Sequence, residues 1–168
     1  MTDSVLRSIQ RYHSRGVLVD TNILLLHFVG SYDRELIPRF KRTRTYTVED
    51  YDLLSRLLSQ FERIVTTPNI LTEVNSLSSQ LGEPAKEQYF KEFARGIDTL
   101  DEKYVESATA AQLEQFPRLG LTDSGIVHLA KGNYLVLTDD FRLYGVLEHL
   151  GIDVLNFNHL RLPGWIGV

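Results

Sequence analysis

The chain has no cysteine among its 168 residues. Disulfides, cysteine-ligated zinc, iron–sulfur clusters and a thiol nucleophile are therefore excluded. Such a composition suits a reducing compartment, and we expect a cytoplasmic protein. Long apolar runs are missing as well. The longest extends from Ile23 to Val29 and is interrupted by His27, against the ~20 residues that a membrane-spanning helix needs. The opening stretch MTDSVLRSIQRYHSR has no apolar signal core, so neither export nor membrane insertion is expected. Basic charge is not in excess: 18 Lys and Arg face 22 Asp and Glu, a formal net charge of −4. That argues against a surface given over as a whole to nucleic acid, while leaving room for a local basic patch. No repeat or Pro/Gly/Ser-rich linker divides the sequence, and its length fits one domain spanning 1–168.

What is present is an alternation of short apolar runs and helical patterns. The run 17–19, Val-Leu-Val, has the β-branched, continuously apolar character of a strand buried on both faces. Similar runs predict strands at 63–66, 103–106, 134–137 and 153–155. Helices are predicted over 3–14, with Val5, Leu6 and Ile9 inward, and over 22–29, ended by Gly30. Further helices are expected over 48–60 after the N-cap Thr47, from Pro68 onward, over 84–95, and over 108–116, closed by Pro117 and Gly120. The last two lie over 123–131, capped by Thr122 and ended by Gly132, and over 140–150. Strands alternating with helices predict an α/β fold: three layers, α/β/α, around a central parallel sheet.

In such sheets ligands bind beyond the carboxyl ends of the strands, near a topological switch point. Val17-Leu18-Val19 runs into Asp20, and Leu135-Val136-Leu137 runs into Thr138-Asp139-Asp140. Asp123 opens a helix, and Glu73 sits one to two turns into the helix after strand 63–66. Four segments thus bring carboxylates to one edge. Taken singly, Asp20 and Asp123 read as helix caps, Glu73 as a solvated acid, and Asp139 and Asp140 as turn residues. Taken together they repel: two charges ~4 Å apart cost about 4 kcal/mol at an effective dielectric near 20. Cations or protons must offset such a cluster, and all-oxygen ligation favours Mg²⁺ or Mn²⁺.

The blocks VLVDTNILLL (17–26), TTPNILTEV (66–74), LTDSGIVHLA (121–130) and YLVLTDDFRLYGVLEHLGIDVL (134–155) resemble the PIN domain. This is the fold of VapC-type toxins and of many metal-dependent endoribonucleases. The likeness covers about 15–160, and region 31–60 is longer than in compact toxins. It implies that the family's four acids fall on Asp20, Glu73, Asp123 and Asp140, as catalytic residues and ligands of Mg²⁺ or Mn²⁺. Asp139 stands at the variable position of the family's Thr-x-Asp pattern and is a second candidate. Asn22 and Thr138 match polar positions that orient the acids. Hydrolysis of an RNA phosphodiester by activated water is the implied reaction. A homodimer and, for a toxin, a protein antitoxin are the implied partners. A non-catalytic PIN-fold scaffold that binds RNA or protein is the alternative. A response-regulator receiver lacks support, because the first strand ends in a single acid, and a haloacid-dehalogenase-type phosphatase would need a second acid at Asn22.

An acidic site repels a polyanion unless something guides it. Arg39, Lys41, Arg42 and Arg44, with Phe40 and Tyr46 close by, form a basic and aromatic segment suited to single-stranded RNA; a solvated loop is the plain alternative. His27 and His128 lie within apolar helical runs and are expected to be packed, hydrogen-bonded residues. His13, His149 and His159 share no ligand spacing. Helix 48–60 and the apolar tail around Trp165 are candidates for contact with a second subunit.

Overall fold

A computed structural model describes residues 3–161. The tail with Trp165 lies outside the described residues. Five strands form one all-parallel sheet in the order β3-β2-β1-β4-β5, where β1 is Val17–Val19, β2 Ile64–Thr66, β3 Asp101–Glu102, β4 Leu135–Thr138 and β5 Val154–Asn156. The helices are α1 Asp3–Tyr12, α2 Thr21–Tyr32, α3 Val48–Leu58, α4 Pro68–Ser78, α5 Ala85–Ile97, α6 Ser107–Ala111, α7 Phe116–Ala130, α8 Phe141–His149 and α9 Phe157–Leu160. The chain winds outward from β1 to β3, then crosses back to β4 on the other side of β1. Parallel crossovers are right-handed, so reversing the direction of winding sends the later helices to the opposite face. The result is the expected three-layer α/β/α architecture, with the switch point between β1 and β4.

Every residue of β1 and β4 is buried. That is the physical meaning of their unbroken apolar runs: both sheet faces are covered. Gly16 enters β1 at φ 112°, and a Cβ there would come within 2.9 Å of the Arg63 carbonyl oxygen. Only glycine lets β1 and β2 start this close. β1 is locked to its other neighbour past its own end, where Asp20 N donates to the Leu137 carbonyl at 3.0 Å.

Several boundaries differ from the sequence reading. Gly30 does not end α2, which continues to Tyr32; it is the place where the Tyr51 ring of α3 lies against the helix. Pro117 opens α7 rather than closing a helix, and the backbone of that helix breaks at Gly120, φ 76° and ψ −170°. β3 forms at Asp101–Glu102 rather than 103–106, because β2 ends at Thr66 and its last two residues, Val65 and Thr66, pair with Asp101 and Glu102. Leu6 of α1 is exposed. The apolar face of α3, expected to seek a partner, is covered within the chain: Leu54, Leu57 and Leu58 are buried in the core. Among the described residues no helix is long and apolar enough to cross a membrane.

Candidate functional site

Asp20, Glu73, Asp123 and Asp140 line one open cavity of about 420 Å³, together with Thr21, Asn22, Thr122 and Arg142. The fold positions each acid differently. Asp20 follows β1 and is the N-cap of α2, its Oδ1 accepting from Thr21 N at 2.6 Å. Asp140 follows β4 by two residues and caps α8, accepting from the backbone N–H groups of Arg142 at 2.6 Å and Leu143 at 3.1 Å. Glu73 comes from α4. Asp123 comes from α7, just past the break at Gly120, and accepts no hydrogen bond from the described residues. Of the plain readings, the cap holds for Asp20; Asp140, read singly as a turn residue, is the cap of α8, and Asp123, read singly as a cap, lies inside α7.

Threonines stitch the acids into a chain. Thr138 Oγ1 donates to Asp20 Oδ2 at 2.6 Å and accepts from Asp140 N at 3.0 Å. Thr21 Oγ1 donates to Glu73 Oε2 at 2.8 Å, and Thr122 Oγ1 donates to Glu73 Oε1 at 2.5 Å. Thr138, expected beside the acids, is thus bonded to two of them. Thr21 was missed, and Thr122, expected as a helix cap, lies inside α7 and turns to Glu73. Their signal was adjacency: each abuts a member of the acid set in sequence.

Electrostatics mark the cluster. Asp20 is 7% exposed, and burial pushes its carboxyl up to about 7, with the Asp123 charge adding to the rise and the Thr138 hydrogen bond opposing it. Asp123 rises to about 6, first through burial, then through Asp140 and Glu73, against Arg142. The guanidinium of Arg142, 3.9 Å from Asp140 Oδ2, is the cation lining this cavity. Two of the four acids are thus driven toward protonation by burial and by their neighbours.

As they stand, no three His, Asp or Glu side chains among the described residues form a group that could hold a metal ion. Asp20 and Glu73 are turned to threonine and backbone donors, and Asp140 to the start of α8. What fits a hard cation is the donor set: carboxylate oxygens on a shared cavity, with one guanidinium to balance them.

Asp139 does not line the cavity. Its Oδ2 accepts from the Tyr46 hydroxyl at 2.5 Å and its Oδ1 from Asn22 Nδ2 at 3.3 Å. It ties the 33–47 segment to the end of β4, and Asn22 is held through it at the cavity rim. The aromatics assigned to base stacking are buried, Phe40 at 6% and Tyr46 at 4% exposure. Aromatic residues in that segment alternate with basic ones because the rings face the core. Lys41 and Arg44 are exposed without an ion-pair partner among the described residues, while Arg42 donates to Gln80 at 2.9 Å. His128 is exposed. His27 is packed, yet its Nδ1 has no hydrogen-bond partner, and burial lowers its pKa. No protein-family model matches this sequence, and no curated protein matches it either.

Proposed function

We propose that this chain is a Mg²⁺- or Mn²⁺-dependent endoribonuclease of the PIN type. The observation that supports it is the single cavity at the switch point lined by acids from four separate elements. Asp20, Asp123 and Asp140 would hold the ion, with Glu73 completing the set. A divalent ion bound there supplies Lewis-acid activation of water and of a phosphodiester. The chain's own residues do the rest. Thr138 and Thr21 hold Asp20 and Glu73 in place by donating to Asp20 Oδ2 and Glu73 Oε2. Arg142, exposed at the rim, is placed to take a phosphate. Lys41, Arg42 and Arg44 offer a cationic approach to a cavity that would otherwise repel a polyanion. Cysteine and a Gly-x-Ser-x-Gly elbow are absent from the sequence, so water is the nucleophile in this reading. A homodimer, and an antitoxin if the protein is a toxin, belong to the same reading through the resemblance of its motifs.

The test is cleavage of a pool of single-stranded RNAs by wild type, Asp20→Asn and Asp123→Asn, with Mn²⁺ and with chelator. Both variants should lose about 100-fold or more in turnover while retaining RNA binding, because the lost interaction acts on the transition state. Cutting at the wild-type rate by either variant, or in chelator, overturns the nuclease reading. RNA binding without cleavage by wild type favours the non-catalytic scaffold.

A further inference from the structure

With Phe40 and Tyr46 buried, the exposed ring beside the acidic cavity is Phe141, 61% exposed. It stands between Asp140 and Arg142, both of which line that cavity. Its ring centroid lies 5.7 Å from His159, and His159 lies 5.4 Å from Tyr144 at 84°. His159 and Tyr144 in turn line a second cavity of about 500 Å³, between α1, α8, β5 and α9, that also includes Ser8, Leu155 and Asn156.

Asn156 pairs with Thr138 across β4 and β5. The second cavity is therefore one strand removed from the threonine that holds Asp20. Asn156 is 2% exposed. Its Oδ1 accepts from Asn158 N at 2.9 Å, but its Nδ2 has no acceptor. A buried amide donor left unpaired is costly, and a ligand acceptor would relieve it.

We propose that Phe141, His159, Tyr144 and Asn156 form a nucleobase subsite, which stacks one base of a single-stranded RNA on the aromatic edge and offers the Asn156 amide to a carbonyl or ring nitrogen of that base. The inference builds on the nuclease reading by placing the substrate's base beside the cavity that would take its phosphate. An exposed phenylalanine at an acidic rim has no core to complete, and stacking tolerates a like-charged neighbourhood because it engages the face of the base rather than its phosphate. The second cavity is large enough for a planar heterocycle; Tyr144, His159 and Asn156 line it, and the Phe141 ring adjoins it through His159, so aromatic rings and an amide, the groups that read a base, lie together.

The test is equilibrium binding, without cleavage, of a hexaribonucleotide carrying 2-aminopurine, whose fluorescence falls on stacking. Titrations are run in chelator. Wild type should quench the probe, Phe141→Ala should bind about 5- to 150-fold more weakly, as expected for the loss of one base–aromatic stack, and Phe141→Trp should restore the quench. Phe141 is on the surface, so its truncation leaves the fold intact, which the circular dichroism melt checks. Equal binding by wild type and Phe141→Ala, equal binding of an abasic hexamer by wild type, or no binding by wild type overturns the subsite. A mononucleotide that binds as tightly as the hexamer overturns the assignment to RNA in favour of free nucleotides. These outcomes are independent of cleavage: a chain that stacks the probe but cuts no RNA loses the nuclease reading and keeps the subsite.

Discussion

Asp20 carries opposing demands at the scale of one residue. It caps α2, anchors Thr138 and sits in a cluster of like charge at 7% exposure. Its carboxyl titrates near 7 in the folded chain, against about 3.9 when unfolded. Between those values the folded state holds the extra proton, so the stability of the metal-free protein falls as pH rises through that window. Asp20→Asn removes the ionisable group at the loss of one acceptor. Thermal melts in chelator should show the variant gaining on wild type from pH 5 to pH 8, and Mn²⁺ at pH 8 should stabilise wild type and leave the variant unmoved. A gap between the two proteins that stays constant with pH would mean that Asp20 is not ionising in the buried site. Asp139 and Asp140 are neighbours in sequence and of one chemistry, and no property of either residue alone separates them. They part because Asp140 is the residue that opens α8, while Asp139 is claimed by Tyr46 and Asn22.

Elements were legible where their signals are local. Thr47 caps α3 with a reciprocal bond to Asp50, and Pro68 begins α4, both as the sequence indicates. Glycines were read less well, because a glycine that ends a helix and one that admits a neighbour look alike in sequence. Gly132 and Gly151 adopt positive φ after α7 and α8, as helix stops do. Gly30 is helical and makes room for Tyr51. In an open helix Gly30→Ala would stabilise by about 0.5–1 kcal/mol; here the new methyl meets Cγ, Cδ2 and Cε2 of one ring. The substitution should instead destabilise by about 1–3 kcal/mol, as overpacking does. Denaturant midpoints of Gly30→Ala, Tyr51→Ala and the double variant form a cycle, and a double variant no better than the sum of the singles would contradict the contact.

For the whole molecule, the balance of charge matters through its placement. A net charge of −4 coexists with the exposed cations Lys41, Arg42 and Arg44 and with an acidic cavity. If those cations guide RNA, affinity must fall with salt, at about 0.7 log units per phosphate contact per log unit of salt. An Arg42/Arg44 double neutralisation should weaken RNA binding and flatten that slope by about 1.4, with the cleavage rate of bound RNA unchanged. A slope equal to that of wild type would return the segment to a solvated loop.

The sequence by itself determined the α/β class, the parallel sheet and the segments that carry acids, because burial on both faces writes continuous apolar strands and caps write their own residues. It also carried the two acids at β1 and β4 to one edge, since parallel strands share a direction. Tertiary structure alone decided which side of β1 receives β4, and so where the winding reverses and the cavity opens. It alone decided that Thr21 and Thr122 belong to Glu73, that Asp139 belongs to Tyr46, and that Phe40 and Tyr46 are buried while Phe141, beside the acidic cavity, is left in water. Those outcomes depend on contacts between residues from 49 to 93 positions apart in the chain, and a periodicity read along a few turns of helix carries no information about such partners.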